Sequence, residues 1–129
     1  AVTGTTNQYI ASGTYTPTAT NVSNVSASTP KQCQWIRVGN VVQVSGSIDI
    51  TPTAGSGNTT EVTLTLPIAS DLSSASNLAG AGAQFESSVA HQGQITISGN
   101  TSSDLARLKF GADRTTLQEC SFTFMYVVQ

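Results

Sequence analysis

Gln32-Cys33-Gln34-Trp35-Ile36-Arg37-Val38-Gly39-Asn40-Val41-Val42-Gln43-Val44-Ser45-Gly46-Ser47-Ile48-Asp49-Ile50 reads as two strands joined at Gly39-Asn40. The second strand alternates cleanly. Val42, Val44, Gly46, Ile48 and Ile50 face one way, and Gln43, Ser45, Ser47 and Asp49 face the other. A period of two with one apolar face predicts a half-buried antiparallel sheet. The Gly-Asn pair is a short hairpin signal, because both residues tolerate positive φ. The segment carries no chemistry of its own, which tilts the functional question toward binding or assembly.

The rest of the chain extends this pattern. Glu61 to Leu66 alternates and stops at Pro67. Leu78 to Glu86 is rich in Ala and Gly, weak as a strand, with Gly80 and Gly82 suited to close backbone packing. Val89 to Ser98 is a further strand, with Gly93 a candidate bulge. Ala106, Leu108 and Phe110 form the inward face of the next. Cys120, Phe122, Phe124, Tyr126 and Val128 form that of the last, which carries the bulkiest apolar face and is therefore expected at the centre of a sheet. Tyr15 to Thr20 is extended, since Pro17 blocks helix and restricts Thr16. The stretches 51–60, 71–77 and 111–116 read as loops, where binding contacts concentrate. The repeated triplets Asn21-Val22-Ser23 and Asn24-Val25-Ser26 are too short to be a structural repeat. About eight strands with turn signals between them, and no convincing helix, predict an all-β antiparallel two-sheet sandwich, jelly-roll-like. We assign residues 1–12 to an entry arm or linker and 13–129 to a single β-sandwich domain. The chain starts at Ala1 without an initiator Met, so a fragment or processed product is expected.

Composition narrows the function. The 129 residues include 17 Ser and 19 Thr, while charged residues make up only 9%, far below the roughly 25% of an average globular protein. The surface is thus polar through hydroxyls rather than charge. A net charge of −2 supplies no footprint for nucleic acid, which needs clustered Lys and Arg. Arg107, Lys109 and Arg114 read as a solvated strand face and loop. No apolar run approaches the roughly 20 residues of a membrane-spanning helix. Cys33 and Cys120 permit one disulfide, but buried free thiols are the simpler reading.

Chemistry is sparse. His91 is the single histidine, and a structural or surface role outweighs a catalytic one. Nucleophilic hydrolysis would need a base and an orienter beside a nucleophile. The seven acids, Asp49, Glu61, Asp71, Glu86, Asp104, Asp113 and Glu119, are scattered, and spatial convergence of two of them is left open. One His and two distant Cys make no zinc spacing, and no phosphate-binding glycine loop is present. We therefore assign no catalytic residue, metal or cofactor. Asn21, Asn24, Asn58 and Asn100 fit the N-x-S/T pattern, a mild excess over chance. Aromatic platforms for sugars are the remaining candidates. Tyr9, Tyr15 and Trp35 qualify, with Arg37 on the Trp35 face. Tyr9, Tyr15, Trp35, Arg37 and His91 are the candidate contact residues, and the apolar neighbours of Trp35 favour core or subunit interface for that residue.

Several runs resemble a known family. They are Gly13-Thr14-Tyr15-Thr16-Pro17-Thr18, Asn21-Val22-Ser23-Asn24-Val25, Cys33 through Gly46, Leu66-Pro67-Ile68-Ala69-Ser70 and Phe122-Thr123-Phe124-Met125-Tyr126. Together they look like a module at the C-terminal end of tail-fibre-like or other structural proteins of tailed bacteriophages. Gly4-Thr5-Thr6-Asn7-Gln8-Tyr9-Ile10 resembles the linkers that precede such domains. The resemblance implies a β-sandwich, homotrimeric, made in the bacterial host cytoplasm and displayed on the virion surface. It brings no catalytic residues. Its implied partners are copies of itself, other virion proteins and a host cell-surface glycan or protein. The first functional expectation is the receptor-binding or tip domain of a tail fibre. The second is a capsid decoration or head-fibre protein. A glycan-degrading tailspike is the third.

Overall fold

The computed structural model of the chain describes residues 9–86 and 91–129. Among these the fold is all-β and antiparallel. Ten strands appear: β1 (Ile10–Tyr15), β2 (Ala19–Ser23), β3 (Val25–Pro30), β4 (Cys33–Val38), β5 (Val41–Pro52), β6 (Asn58–Leu64), β7 (Leu78–Glu86), β8 (His91–Asn100), β9 (Leu105–Ala112) and β10 (Gln118–Val127). A single 3-10 turn, Ala75–Asn77, accompanies them. Hydrogen bonding orders the strands β1-β4-β5-β10-β7-β8-β9-β6-β2, with β3 paired to the second half of β5. The sheet curls into a half-barrel. The ladder is continuous from β1 to β2, where the sequence suggests two separate sheets.

The opening hairpin forms as read. Val38 pairs with Val41 across the two-residue turn. Gly39 takes φ +60°, while Asn40 is not among the residues at positive φ, the pattern of a type II′ turn. Along β5, Val42, Val44, Ile48 and Ile50 are fully buried. Their face meets β10, whose Cys120, Phe122, Phe124 and Tyr126 alternate inward. β10 lies between β5 and β7, so the bulkiest strand is central as expected. Each fully buried large side chain contributes about 1.5–3 kcal/mol, which makes this the energetic centre of the molecule.

Bulk on β10 is matched by its absence on the neighbours. Phe122 pairs with Gly46 on one side and Gly82 on the other, and Phe124 pairs with Gly80. A Cβ on Gly82 would stand 2.5 Å from the Ser121 carbonyl oxygen, and one on Gly80 would collide with Thr123 and Phe124. The phenyl rings of Phe122 and Phe124 stack at 6.0 Å in the space that these glycines leave.

Five expectations are corrected. First, the stretch read as one strand over 15–20 is split. β1 ends at Tyr15, Pro17 sits in the connection, and β2 starts at Ala19. Second, the repeated triplets straddle a corner between β2 and β3, where Asn24 adopts φ 55°. Asn tolerates that region through its short polar side chain. Third, the loop read over 51–60 is shorter, because β5 runs to Pro52 and β6 begins at Asn58. Fourth, Gly93 is not a bulge. Its register against Gln84 is unbroken, and it leaves room for the Gln84 amide to pack over its backbone. The first strand also begins at Ile10, inside the stretch assigned to an arm. Residues 1–8 lie outside the described residues.

Candidate functional site

Parity along β1 and β4 assembles four of the five candidate residues on one surface. Tyr9, Ala11, Gly13 and Tyr15 share a face of the first strand and its lead-in. Cys33, Trp35 and Arg37 share the same face of β4. The register sets Gly13 opposite Trp35 and Ala11 opposite Arg37. The small residues matter: a Cβ on Gly13 would lie 3.1 Å from Trp35 Nε1, so the indole covers bare backbone there. The result is a strip of Tyr9, Arg37, Trp35 and Tyr15 along the β1–β4 ribbon.

Arg37 organises one end of the strip. Its Nε donates to the Gly39 carbonyl at 2.8 Å and its Nη2 to Asn40 Oδ1 at 3.3 Å. These bonds tie the guanidinium to the hairpin turn. The guanidinium also lies 4.8 Å from the centroid of the Tyr9 ring, a cation–π contact of about 0.5–1 kcal/mol at an exposed site. The backbone N–H of Gly39 donates to the Tyr9 carbonyl at 2.8 Å. Tyr9 is thereby held though more than half exposed. At the other end, Tyr15 Oη donates to the Thr65 carbonyl at 3.0 Å, and burial raises its pKa well above the ordinary phenol value. Trp35 lies between the two ends, half-buried. The arrangement offers a partly exposed aromatic surface and one fixed cation, which suits a sugar ring or a planar side chain.

His91 is not part of this strip. Its backbone begins β8 and pairs with Glu86, three strands beyond β5 in the order, and its side chain lies outside the described residues. The carboxylates do not assemble on the strip either. Glu119 stands directly opposite Asp49 on the outer face, where Lys31 Nζ contacts Asp49 Oδ2 at 3.0 Å. Glu61 faces Arg107 and Lys109 across β6–β9, with Arg107 Nε 3.2 Å from Glu61 Oε2 but poorly aligned as a hydrogen bond. The basic residues there are thus paired surface charges. Among the described residues no group of three or more His, Cys, Asp and Glu is arranged to hold a metal ion. Cys33 and Cys120 are buried free thiols. Burial, followed by the nearby Asp49 carboxylate, pushes the Cys120 pKa up to about 12.

The asparagines of the N-x-S/T sites hold the architecture instead. Asn24 Nδ2 donates to the Ala54 carbonyl and to Thr60 Oγ1, and its Oδ1 accepts from the Ala54 N–H. Asn58 Nδ2 bonds the Gly55 carbonyl, and Asn100 Oδ1 accepts from Ser102. The turn positions of these residues were the available signal.

A second surface escapes sequence reading. On the outer face, Ile10, Val38, Val41 and Val127 line up across four strands, with Ile36 and Met125 in the next row. All six are at least 40% exposed. Each residue looks ordinary alone, since single exposed apolar side chains are common. Only the register reveals the contiguous patch.

Comparisons of the chain with protein-family models, with curated proteins and with solved structures gave no match.

Proposed function

We propose that the chain is a non-enzymatic structural protein of a tailed-bacteriophage virion, acting as the receptor-binding or tip domain of a tail fibre at the virion surface. The sequence resemblance supplies the setting. The observation that supports a binding role is the Tyr9–Arg37–Trp35–Tyr15 strip, in which a fixed guanidinium and the exposed Tyr9 ring share one face with the half-buried Trp35 and Tyr15. A host-surface glycan fits this chemistry, because aromatic faces pack on sugar C–H groups at small loss of conformational freedom. We also read the curled sheet as a jelly-roll-like sandwich. In support, residues of the β5–β10 limb and of the β6–β9 limb belong to one hydrophobic core.

Purified protein is applied to an array of bacterial surface polysaccharides and to cells of a bacterial panel. The expected result is saturable adsorption that falls roughly tenfold in Tyr9→Ala and in Arg37→Ala, matching a loss of 1–1.5 kcal/mol, with unchanged circular dichroism. Adsorption that both variants retain would remove the strip from the proposal. Turnover of a polysaccharide would replace it with an enzyme.

The exposed apolar rows on the outer face favour a second reading, a capsid decoration or head-fibre protein that docks on other virion subunits. Binding to purified phage heads with no adsorption to any cell would select it.

A further inference from the structure

The two ends of the sheet differ in how they are closed. At the β2 end, the strand is irregular between Asn21 and Ser23, and β3 lies beside it, with Ser28 Oγ donating to Asn21 Oδ1. Bulges and covering segments are how sheets block unwanted pairing. Among the described residues the β1 end has neither device. Its residues Ile10-Ala11-Ser12-Gly13-Thr14-Tyr15 include no charge, no proline and no register shift against β4.

The direction of each backbone group on β1 follows from the ladder. In the β4–β5 hairpin, Val38 and Val41 flank a two-residue turn, so Val38, Ile36 and Gln34 direct their N–H and C=O groups toward β5. Arg37, Trp35 and Cys33 then point theirs toward β1. The Gly39 N–H bond to the Tyr9 carbonyl has the same phase. Ala11, Gly13 and Tyr15 are therefore the hydrogen-bonded partners of β4, and Ile10, Ser12 and Thr14 turn three donors and three acceptors away from the sheet.

We propose that this edge is a self-association site, on which β1 of a second copy adds antiparallel about a two-fold axis at Ser12. Six backbone hydrogen bonds form, because Ser12 faces Ser12 of the second copy and Ile10 faces Thr14 in both directions. Side chains match in the same register. Tyr9 comes opposite Tyr15 of the other copy on the inner face, an aromatic cross-strand pair made twice. Ala11 comes opposite Gly13, so nothing bulky obstructs the axis. Aromatic pairs directly opposite in a sheet are favourable, and no like charges meet. A two-fold contact closes on itself and leaves no free β1 edge. It also joins two aromatic strips into one surface. The arrangement differs from the threefold assembly that the family resemblance implies, and it stands whether or not the ligand is a glycan.

Sedimentation equilibrium of the intact chain across a wide concentration range tests this. Wild type is expected to reach twice the 13.3 kDa protomer mass. Ser12→Pro removes the central outward N–H without touching a β4 bond, and is expected to raise the dissociation constant roughly a hundredfold through the two symmetric losses and the ring itself. Ser12→Lys places like charges on the axis and should give monomer as well. It decides the matter if the proline variant fails to fold, as judged by its melting curve. A wild type that stays monomeric, a trimeric mass, or a dimer that survives a folded Ser12 variant would overturn the proposal.

Discussion

β10 and β1 are both uncharged at their inward positions, both alternate, and both pair antiparallel, yet one is the centre of the molecule and the other its rim. β10 has a strand on each side and buries Gln118, Cys120, Phe122, Phe124 and Tyr126. β1 has a strand on one side and turns Ala11, Gly13 and Tyr15 inward. Alternation specifies a sheet face but not a place in the sheet. Inward bulk specifies the place, because a large ring lowers the free energy only where strands on both sides wall it in. Small inward residues leave the neighbour's side chain uncovered, which is how Trp35 stays accessible beside Gly13.

The sharpest way to break this contrast is to remove bulk from the centre. Phe124→Ala leaves a void over Gly80 and should destabilise by about 3–5 kcal/mol, seen as a fall in the urea midpoint or as failure to fold. Next in size is an alkaline transition. Burial pushes both Cys120 and Tyr126 up to about 12 from ordinary values of 9.0 and 10.0. For Tyr126, burial outweighs the bond its oxygen accepts from the Ile68 N–H at 3.2 Å and the nearby Arg37 charge. Both groups are neutral when folded and have raised pKa values. Their contribution is thus complete below pH 9 and is lost as pH rises toward 12, by about 2–4 kcal/mol. Melting temperature against pH should show this fall, and Cys120→Ala should shrink the part of it that begins near pH 9, leaving the share of the buried Cys33 thiol, whose pKa is also raised by burial. A curve that is flat to pH 12 would contradict the burial of both groups.

Adding bulk beside the centre comes third. Gly80→Ala forces a methyl group into Thr123 and Phe124 and should cost about 1–3 kcal/mol. The same change at the rim is the smallest effect. Gly13→Ala meets only the Trp35 ring, which is free to shift by a few tenths of an ångström. We expect less than about 1 kcal/mol from differential scanning calorimetry. Equal losses at the two glycines would erase the distinction between centre and rim.

Much of the centre was legible in the chain. β5, β7 and β10 follow from alternation and from glycines that face rings. The bends were harder to read. Asn24 makes the β2–β3 corner through φ 55° and three hydrogen bonds to residues some thirty positions away. Local propensity carries no record of such partners. Pro52 misled because proline marks loops, whereas here it closes β5 opposite Val25. The strip was half legible: Trp35 and Arg37 share a strand, but only the β1–β4 register brings Tyr9 and Tyr15 beside them. The outer apolar rows were illegible, since their residues come from four strands separated along the chain.

The place of β10 also governs when the fold can exist. β1, β3, β4 and β5 form one hydrogen-bonded group, and β7, β8, β9, β6 and β2 form another, with β10 as the ladder between them. It is also the last of the ten strands to be synthesised. Synthesis therefore reaches residues 118–127 only after the other nine strands have been made, with the facing edges of β5 and β7 unfilled until then. The native core closes only once β10 has been made, and the chain that waits for it is the species most exposed to mispairing.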